Sequence, residues 1–491
     1  MHTSLELAAF CKKKGFMYPS SEIYGGLSGF YDYGHLGTKL KHNFEHLWRS
    51  FFLGLNDNFH EIETANIAHE NVFKASGHLQ NFTDPVASCK KCGFHVRADH
   101  FLAEHLKRRV EGKTTDEYQE LITQNKLGCP QCKSVLTVSV LNMMFPVKLG
   151  VGKVQTGYLR PETAQSPYVN FKLQYELLRK KLPLGLALIG RAYRNEISPR
   201  NFTLRQREFV QAELQIFFDP QHPPSESDFA LVKDQKLKTT LILDREQNKV
   251  VERTAQQLVD SGLPEFYVYH LIKIQEFYFQ HLKISPEKFR FYQLSDQEKA
   301  FYNKYHFDLE IDLAEHGWTE VGGLHYRTDH DLSGHQKISQ QSMEVLEEAT
   351  GRKFIPHVLE LSFGVDRHIY ALLDLSYEMS KEREYVVLHL PAKVTPYFCA
   401  VFPLVKNKPE IVALGEQVYQ DLKQHFSCLY DETAAVGRRY ARADEQGIKY
   451  CITVDFDSLQ DHAVTIRDRD STQQERVKIS QLKEKLALLF S

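Results

Sequence analysis

The sequence predicts an α+β fold: an antiparallel sheet with flanking helices, followed by a separate C-terminal mixed α/β domain. Three stretches predict it. Gly185–Asp219 sets two apolar-rich runs around a loop crowded with arginines, the pattern of an antiparallel hairpin. His357–Leu373 reads as a strand, a turn at Gly364, then a helix. After Tyr385, short apolar runs alternate with helical patterns, which argues for a small domain of its own.

Bulk properties set the frame. A chain of 491 residues is long enough for several domains with real cores. Its 61 basic and 63 acidic residues nearly cancel, so any nucleic-acid binding must come from local basic surface. Apolar runs are too short for a membrane span, and lysines follow a short apolar stretch at the N-terminus, which makes a poor signal peptide. A cytoplasmic enzyme without membrane contact is expected.

Along the chain, residues 1–85 open the core. Leu36, Leu40, Phe44, Leu47 and Phe51 recur at helical spacing, widened by Trp48 and Phe52. This wide apolar face suits a core helix or one shared between two subunits. Residues 86–145 read as an insertion carrying Cys89-x-x-Cys92 and Cys129-x-x-Cys132. Two such pairs can supply four thiolates to a structural Zn2+; the alternative is a site without metal. Four thiolates leave no open position for catalysis. The other cysteines, Cys11, Cys399, Cys428 and Cys451, are isolated and read as buried thiols. Core material resumes over 146–219, a helical insertion is expected over 220–306, the core closes over 307–377, and 385–491 form the last domain.

In the second hairpin strand, Val210, Ala212, Leu214, Ile216 and Phe218 share one face, expected to meet the core. Arg207, Phe209, Gln211, Glu213 and Gln215 share the other. An aromatic between arginines can stack a purine while the arginines, including Arg194, Arg200 and Arg205, hold phosphates. A plain solvated face is the other reading of this segment alone. In the third stretch, Glu360 and Ser362 share a strand face, and Arg367 falls in the first turn of a helix, where a phosphate fits.

Tyr193-Arg194-Asn195-Glu196 with Arg207-Glu208-Phe209, and Gly364 with Arg367, preceded by the Gly34–Phe52 helix, resemble in order the three signature motifs of class II aminoacyl-tRNA synthetases. Further stretches resemble the homodimeric glycyl-tRNA synthetase family over nearly the whole chain. They include Ser21–Gly26, Ala75–His78, Arg97–His100, Leu159–Gln165, Tyr326–Asp329, Gly437–Arg442 and Thr465–Asp470.

The resemblance implies ATP-dependent attachment of glycine to tRNA(Gly) through glycyl-adenylate, with Mg2+ accompanying ATP. Arg194, Glu196 and Arg367 are its catalytic residues, with Arg194 on the α-phosphate and Arg367 on the γ-phosphate. ATP contacts are implied at Asn195, Leu204, Arg205, Gln206, Arg207, Glu208, Phe209, Glu320, Val321, Gly364, Val365 and Asp366. Glycine contacts are implied at Arg97, Glu162, Phe209, Val210, Gln211, Ala212, Glu213, Glu360, Leu361, Ser362, Phe363 and Gly364. Glu320 suits Mg2+. Carboxylates suit the glycine ammonium, and a pocket without room for a methyl group needs no editing site. The last domain is implied to bind the anticodon, with Arg438, Arg439, Arg442 and Lys449 as candidate contacts.

His35, Pro146 and Leu361 depart from the family pattern without removing a proposed catalytic group. Two rival readings are a class II synthetase for another small amino acid and a synthetase-like RNA-binding protein without catalysis. The glutamate set argues against the first, and retention of Arg194 and Arg367 against the second.

Overall fold

The computed structural model describes residues 2–490 apart from 108–109, 111, 152–154, 200, 225–228, 248, 301 and 349. Arg200 therefore lies outside the described residues. The main sheet comprises β1 (Phe59–Glu61), β2 (Leu184–Tyr193), β3 (Glu208–Phe218), β4 (Lys236–Thr240), β5 (Val251–Thr254), β6 (Phe289–Gln293), β7 (Tyr305–Leu313), β8 (Gly317–Thr328) and β9 (His357–Gly364). Their order is β5-β4-β6-β7-β8-β9-β3-β2-β1. Pairing is antiparallel except for β1 with β2 and β4 with β6.

The predicted hairpin is present: β2 and β3 pair from Leu184 with Phe217 to Tyr193 with Glu208. Face alternation in β3 holds as expected, with Ala212, Leu214, Ile216 and Phe218 in the main core. The opposite face is not solvated; Glu213 and Gln215 are buried beneath other elements.

Helix α1 (His35–Phe52) buries Leu36, Leu40, Phe44, Trp48 and Phe52. Phe52 packs 4.9 Å from the Phe363 ring of β9 and 5.0 Å from Phe277, while Phe44 stacks 5.1 Å from His368. The apolar stripe is thus used inside the chain, as a core helix. His35 begins the helix after Gly34 and packs on Gly15. Helix α2 (Gln165–Leu177) covers the β2 side of the sheet through Tyr168 and Phe171. Pro146 sits in an exposed position of a short strand opposite Tyr158.

Residues 220–306 correct the expectation of a helical insertion. They contribute β4, β5 and β6 to one edge of the main sheet, and α3 (Glu265–Glu276) packs into the same core through Tyr267, Leu271 and Ile274. Short strands without clear alternation gave no period-two signal to read.

The cysteine module has its own sheet, Thr83–Ser88 paired with His95–Arg97 and Thr137–Asn142, so it begins slightly before residue 86. The segment between the cysteine pairs folds into helices Ala98–Leu106 and Thr115–Gln124. The latter is closed by a capping box between Thr114 and Glu117.

After α4 (Val365–Ser376), Tyr377–Ser380 and Tyr385–Leu388 form a separate hairpin where the sequence suggested a charged linker and a domain strand. The last domain is a five-stranded sheet in the order Cys428–Tyr430, Cys399–Pro403, Tyr450–Val454, Ala463–Asp468, Gln474–Lys478. The first three strands are parallel and the last two antiparallel, a mixed α/β domain with its own core. Cys11, Cys399, Cys428 and Cys451 are buried, as expected.

Candidate active site

Strand register assembles the site. Across β3, β9, β8 and β7 run two transverse rows of facing residues. The first is Glu213, Ser362, Gly323 and Asp308; the second is Gln215, Glu360, His325 and His306. Adjacent residues in a row share one sheet face, so the ladder alone brings the glutamates of two distant segments together.

A cleft lies over this face. Its lining includes Arg194, Glu196, Leu204, Arg205, Gln206, Phe209, Val210, Gln211, Glu320, Val321, His325, Ser362, Gly364 and Arg367. The Arg194 guanidinium stands over two rings, 5.3 Å from that of Phe82 and 5.2 Å from that of Phe209, and its Nε donates to the Pro161 carbonyl at 3.0 Å. Glu196 accepts from Arg205 Nε at 2.9 Å, which fixes the loop arginine at the rim. Also lining the cleft, Arg367 donates through Nε to the Leu204 carbonyl at 3.2 Å and through Nη1 to the Glu320 carbonyl at 2.9 Å, and lies 3.3 Å from the Glu320 carboxylate. Two arginines lining one cleft, one beside an aromatic ring, can hold a polyphosphate nucleotide in a fixed geometry.

Beside the cleft floor, three carboxylates converge in near-complete burial: Glu213 is 2% exposed, Glu360 4% and Glu162 9%. Ser362 donates to Glu213 at 3.0 Å, and Gln215 donates to Glu360 at 3.0 Å. Tyr168 bridges the Gln215 amide oxygen at 2.7 Å and Glu360 at 3.1 Å. Arg327 is the countercharge. It donates to Glu360 at 3.0 Å and to Asp331 at 2.8 and 3.1 Å, and stands 3.7 Å from Glu162.

The three acids do not titrate alike. Burial pushes Glu213 up to about 8, with Glu360 and Glu162 adding repulsion. Burial also raises Glu360, against the pull of Arg327. Glu162 is raised by burial but drawn below the ordinary range by His78, at 3.4 Å, and by Arg327. The pocket therefore holds carboxylates of unequal basicity around one arginine, a setting that favours a compact added cation.

Several sequence-predicted contacts stand elsewhere. Arg207 is spent on backbone, donating to Glu196 and Ser28 carbonyls, and does not line the cleft. Glu208 pairs with Arg191 on the neighbouring strand. Asn195 is tied through its backbone N–H to Met143. Asp366 reaches the cleft edge, but its carboxylate accepts from the Tyr33 hydroxyl and the Val210 N–H, so it clamps the hairpin to α4. Ala212, Leu361, Phe363 and Val365 are fully buried in the main core, because they occupy the strand face or helix side turned away from the pocket. Leu361, one of the family departures, is thus buried in the core, while Ser362 and Glu360 bond to Glu213 and Arg327 on the pocket face. Arg97 pairs with Asp84 and Asp99 in a neighbouring cavity that meets the cleft at Glu320, away from the glutamates.

Arg327, Tyr168, Gln165 and His78 were not assigned from the sequence as site residues. Gln165 donates to Glu162 at 3.0 Å and to Asp331 at 2.9 Å. All but Tyr168 fall inside the stretches that carried the resemblance. Gly190 also serves the site: a Cβ there would come within 2.2 Å of Arg160, which supports the adjoining loop through the Arg191 carbonyl.

In the cysteine module, the four sulfur atoms lie within 4.8 Å of one another, with Cys89–Cys132 and Cys92–Cys129 each at 3.5 Å. Each pair sits in the same tight knuckle: Cys89 N–H bonds Phe94 as Cys129 N–H bonds Ser134.

In the last domain, Arg438 is exposed on α5 (Val436–Glu445). Arg439 is buried and donates to the carbonyls of Pro403 and Leu404, which removes it as an RNA contact. Arg442 pairs with Asp431, and Lys449 with Asp468 and Asp470.

Comparison with known proteins agrees with this architecture. Residues 399–488 match the family "Anticodon binding domain". A glycine–tRNA ligase of Pyrococcus horikoshii is 38% identical over 98% of this chain and 97% of its own length. One from Methanothrix thermoacetophila is 34% identical over 96% of this chain and 94% of its own. The chain belongs to the glycine–tRNA ligase family. Among solved structures, Cryptosporidium parvum prolyl-tRNA synthetase complexed with L-proline and AMP superposes with a TM-score of 0.58 at 13% identity, covering 99% of this chain and 74% of that one. At that identity the likeness shows the shared class II fold.

Proposed function

We propose that the chain activates glycine with ATP and transfers it to tRNA(Gly), the reaction named for its relatives. The convergence of three buried glutamates with Ser362 beside an arginine-lined cleft supports it best. ATP lies in the cleft, with Phe209 on its base, Arg194 on the α-phosphate and Arg367 on the far phosphates. The glycine ammonium takes its place among Glu162, Glu213 and Glu360, which sets its carboxylate toward the α-phosphorus. Attack there forms the adenylate and releases pyrophosphate; Arg194 stabilises the charge that develops on the phosphorus oxygens. No protein base is needed, because the glycine carboxylate is already ionised. Mg2+ neutralises phosphate charge when bound, and Glu320, half exposed beside Arg367, is the side chain that would hold it.

Selectivity follows from burial. Carboxylates this enclosed admit an ammonium group but little beside it. ATP–pyrophosphate exchange should respond to glycine and stay near background with alanine and serine; equal exchange with alanine would overturn the glycine assignment.

The pocket also predicts a proton signature. With Glu213 at about 8 in the free protein, most molecules carry that proton at pH 7. An ammonium beside it favours the ionised form, so glycine binding should release close to one proton at pH 7 and tighten as pH rises toward 8. Calorimetry in two buffers of different ionisation enthalpy reads the proton count; an identical heat in both would refute this assignment.

The four cysteines fit tetrahedral Zn2+ in donor type, number and spacing. Zinc there would hold the two knuckles together and take no part in chemistry. Elemental analysis finding no zinc in protein made with ample zinc would remove it. A homodimer is also proposed. Since α1 is spent internally, the exposed Val169, Leu173 and Leu177 on one face of α2 are the apolar surface that supports it. Light scattering at monomer mass in the micromolar range would contradict it. No described helix is long and apolar enough to cross a membrane.

A further inference from the structure

Behind the second transverse row stands a group that the mechanism does not use. Asn303, 4% exposed, precedes β7 and places its amide Nδ2 3.2 Å from His325 Nδ1 and 3.5 Å from His306 Nδ1. The two imidazoles are direct cross-strand partners with ring centroids 4.0 Å apart. Their other nitrogens face carboxylates: His306 Nε2 is 3.0 Å from Asp308, and His325 Nε2 is 3.6 Å from Glu360. The amide oxygen of Asn303 has no partner among the described residues, so its two donated bonds are its polar contact with the protein.

We infer that Asn303 is a positioning residue for the glycine pocket: it fixes both histidines as Nε2–H tautomers, so that His325 presents an N–H to Glu360 and keeps that carboxylate aimed at the glycine ammonium. The hydrogen-bond logic has few solutions. An amide NH2 only donates, so a neutral ring facing it carries its hydrogen on Nε2, which stands within hydrogen-bond distance of Asp308 for His306 and slightly beyond it from Glu360 for His325. A neutral ring then has a bare Nδ1, which needs a donor, and the amide NH2 of one asparagine supplies two. His325 is held neutral by burial first and then by His306 and Arg327; Glu162 is the acidic group acting against them. Gly323 makes the arrangement sterically possible, since a Cβ there would lie 2.5 Å from His325 Nε2 and 3.3 Å from His306 Nε2. Because His306 also contacts Asp308, the relay spans from the glycine pocket to the row that holds Ser362.

This inference rests on the glycine reading of the pocket, and its test separates the two. The full-length protein, labelled with 15N in its histidine rings, is recorded by long-range 1H–15N correlation at neutral pH, with His306→Gln and His325→Gln identifying the signals. Both rings should show the Nε2–H tautomer. Asn303→Asp, which accepts where asparagine donates, should move the ring protons to Nδ1. It should raise KM for glycine roughly tenfold in pyrophosphate exchange, leaving KM for ATP within about twofold. Nδ1–H tautomers in the unmodified protein would overturn the inference without any variant, as would unchanged tautomers in Asn303→Asp. A tautomer shift with an unaltered glycine KM would also overturn it. By contrast, absence of glycine-dependent exchange in the unmodified protein would strike the glycine reading itself.

Discussion

Replacing Arg194 with alanine is expected to lower glycine-dependent ATP–pyrophosphate exchange by about 10^2- to 10^3-fold, the loss typical when one preorganised donor to a developing anion is removed. The guanidinium is ordered before any substrate arrives. It stands over two aromatic rings, and the Pro161 carbonyl holds its Nε. That order is why the effect should fall on kcat as well as on ATP binding, since little reorganisation remains for the transition state. Arg194→Lys should recover only a small part, because an ammonium neither stacks on aromatic rings nor donates as a planar fork. The fold should survive, as β2 and β3 are held by their own ladder. An Arg194→Ala protein with exchange within tenfold of normal would show that the α-phosphate is held by something else.

The second large effect concerns stability. Arg327 is 2% exposed and faces Asp331, Glu360 and Glu162, with the Tyr302 and Tyr168 rings 4.3 and 5.4 Å from its guanidinium carbon. Arg327→Leu keeps much of the bulk but leaves buried carboxylates without their cation, a change that costs about 3–5 kcal/mol. The sign with pH is specific. In the intact protein, Glu162 is held below its ordinary range, so its contribution is present above the unfolded value and lost as pH falls through the folded one. Without Arg327, the folded-state carboxylates move up, and stability is lost as pH rises through their new values. The deficit of Arg327→Leu should therefore widen between pH 5.5 and pH 8. Denaturant unfolding at both pH values measures it; an equal deficit at both would mean that lost packing, not unpaired charge, is the cause.

What could be read from the chain divides along physical lines. The β2–β3 hairpin and the pairing of Glu213 with Phe209 on one face were legible because strand periodicity is local. The same holds for the turn at Gly364 and the two cysteine knuckles, whose spacing is short. Arg327 was not legible as the pocket's countercharge, because Asp331 is its one local partner, while Glu360 and Glu162 come from segments that meet it only through the β8–β9 ladder and the packing around α2. Asn303 was hidden for the same reason. The edge strands β4–β6 are short and joined partly in parallel, so their sequence carries neither clean alternation nor a hairpin turn. Arg207, Glu208 and Asp366 lie within matched motifs yet serve loop, strand and helix anchoring, which a motif cannot distinguish from ligand contact.

The alternating strand β3 also limits how this gene can change length. Leu214 and Glu213 are neighbours with opposite destinations, one in the main core and one beside the cleft. Deleting a single codon within 208–218 would exchange every such pair: aliphatic groups would enter the charged pocket and carboxylates the oily interior. Substitutions in this strand can be graded in effect, but frame-preserving insertions and deletions of one residue cannot. Length variation among descendants of this chain should therefore be absent from 208–218.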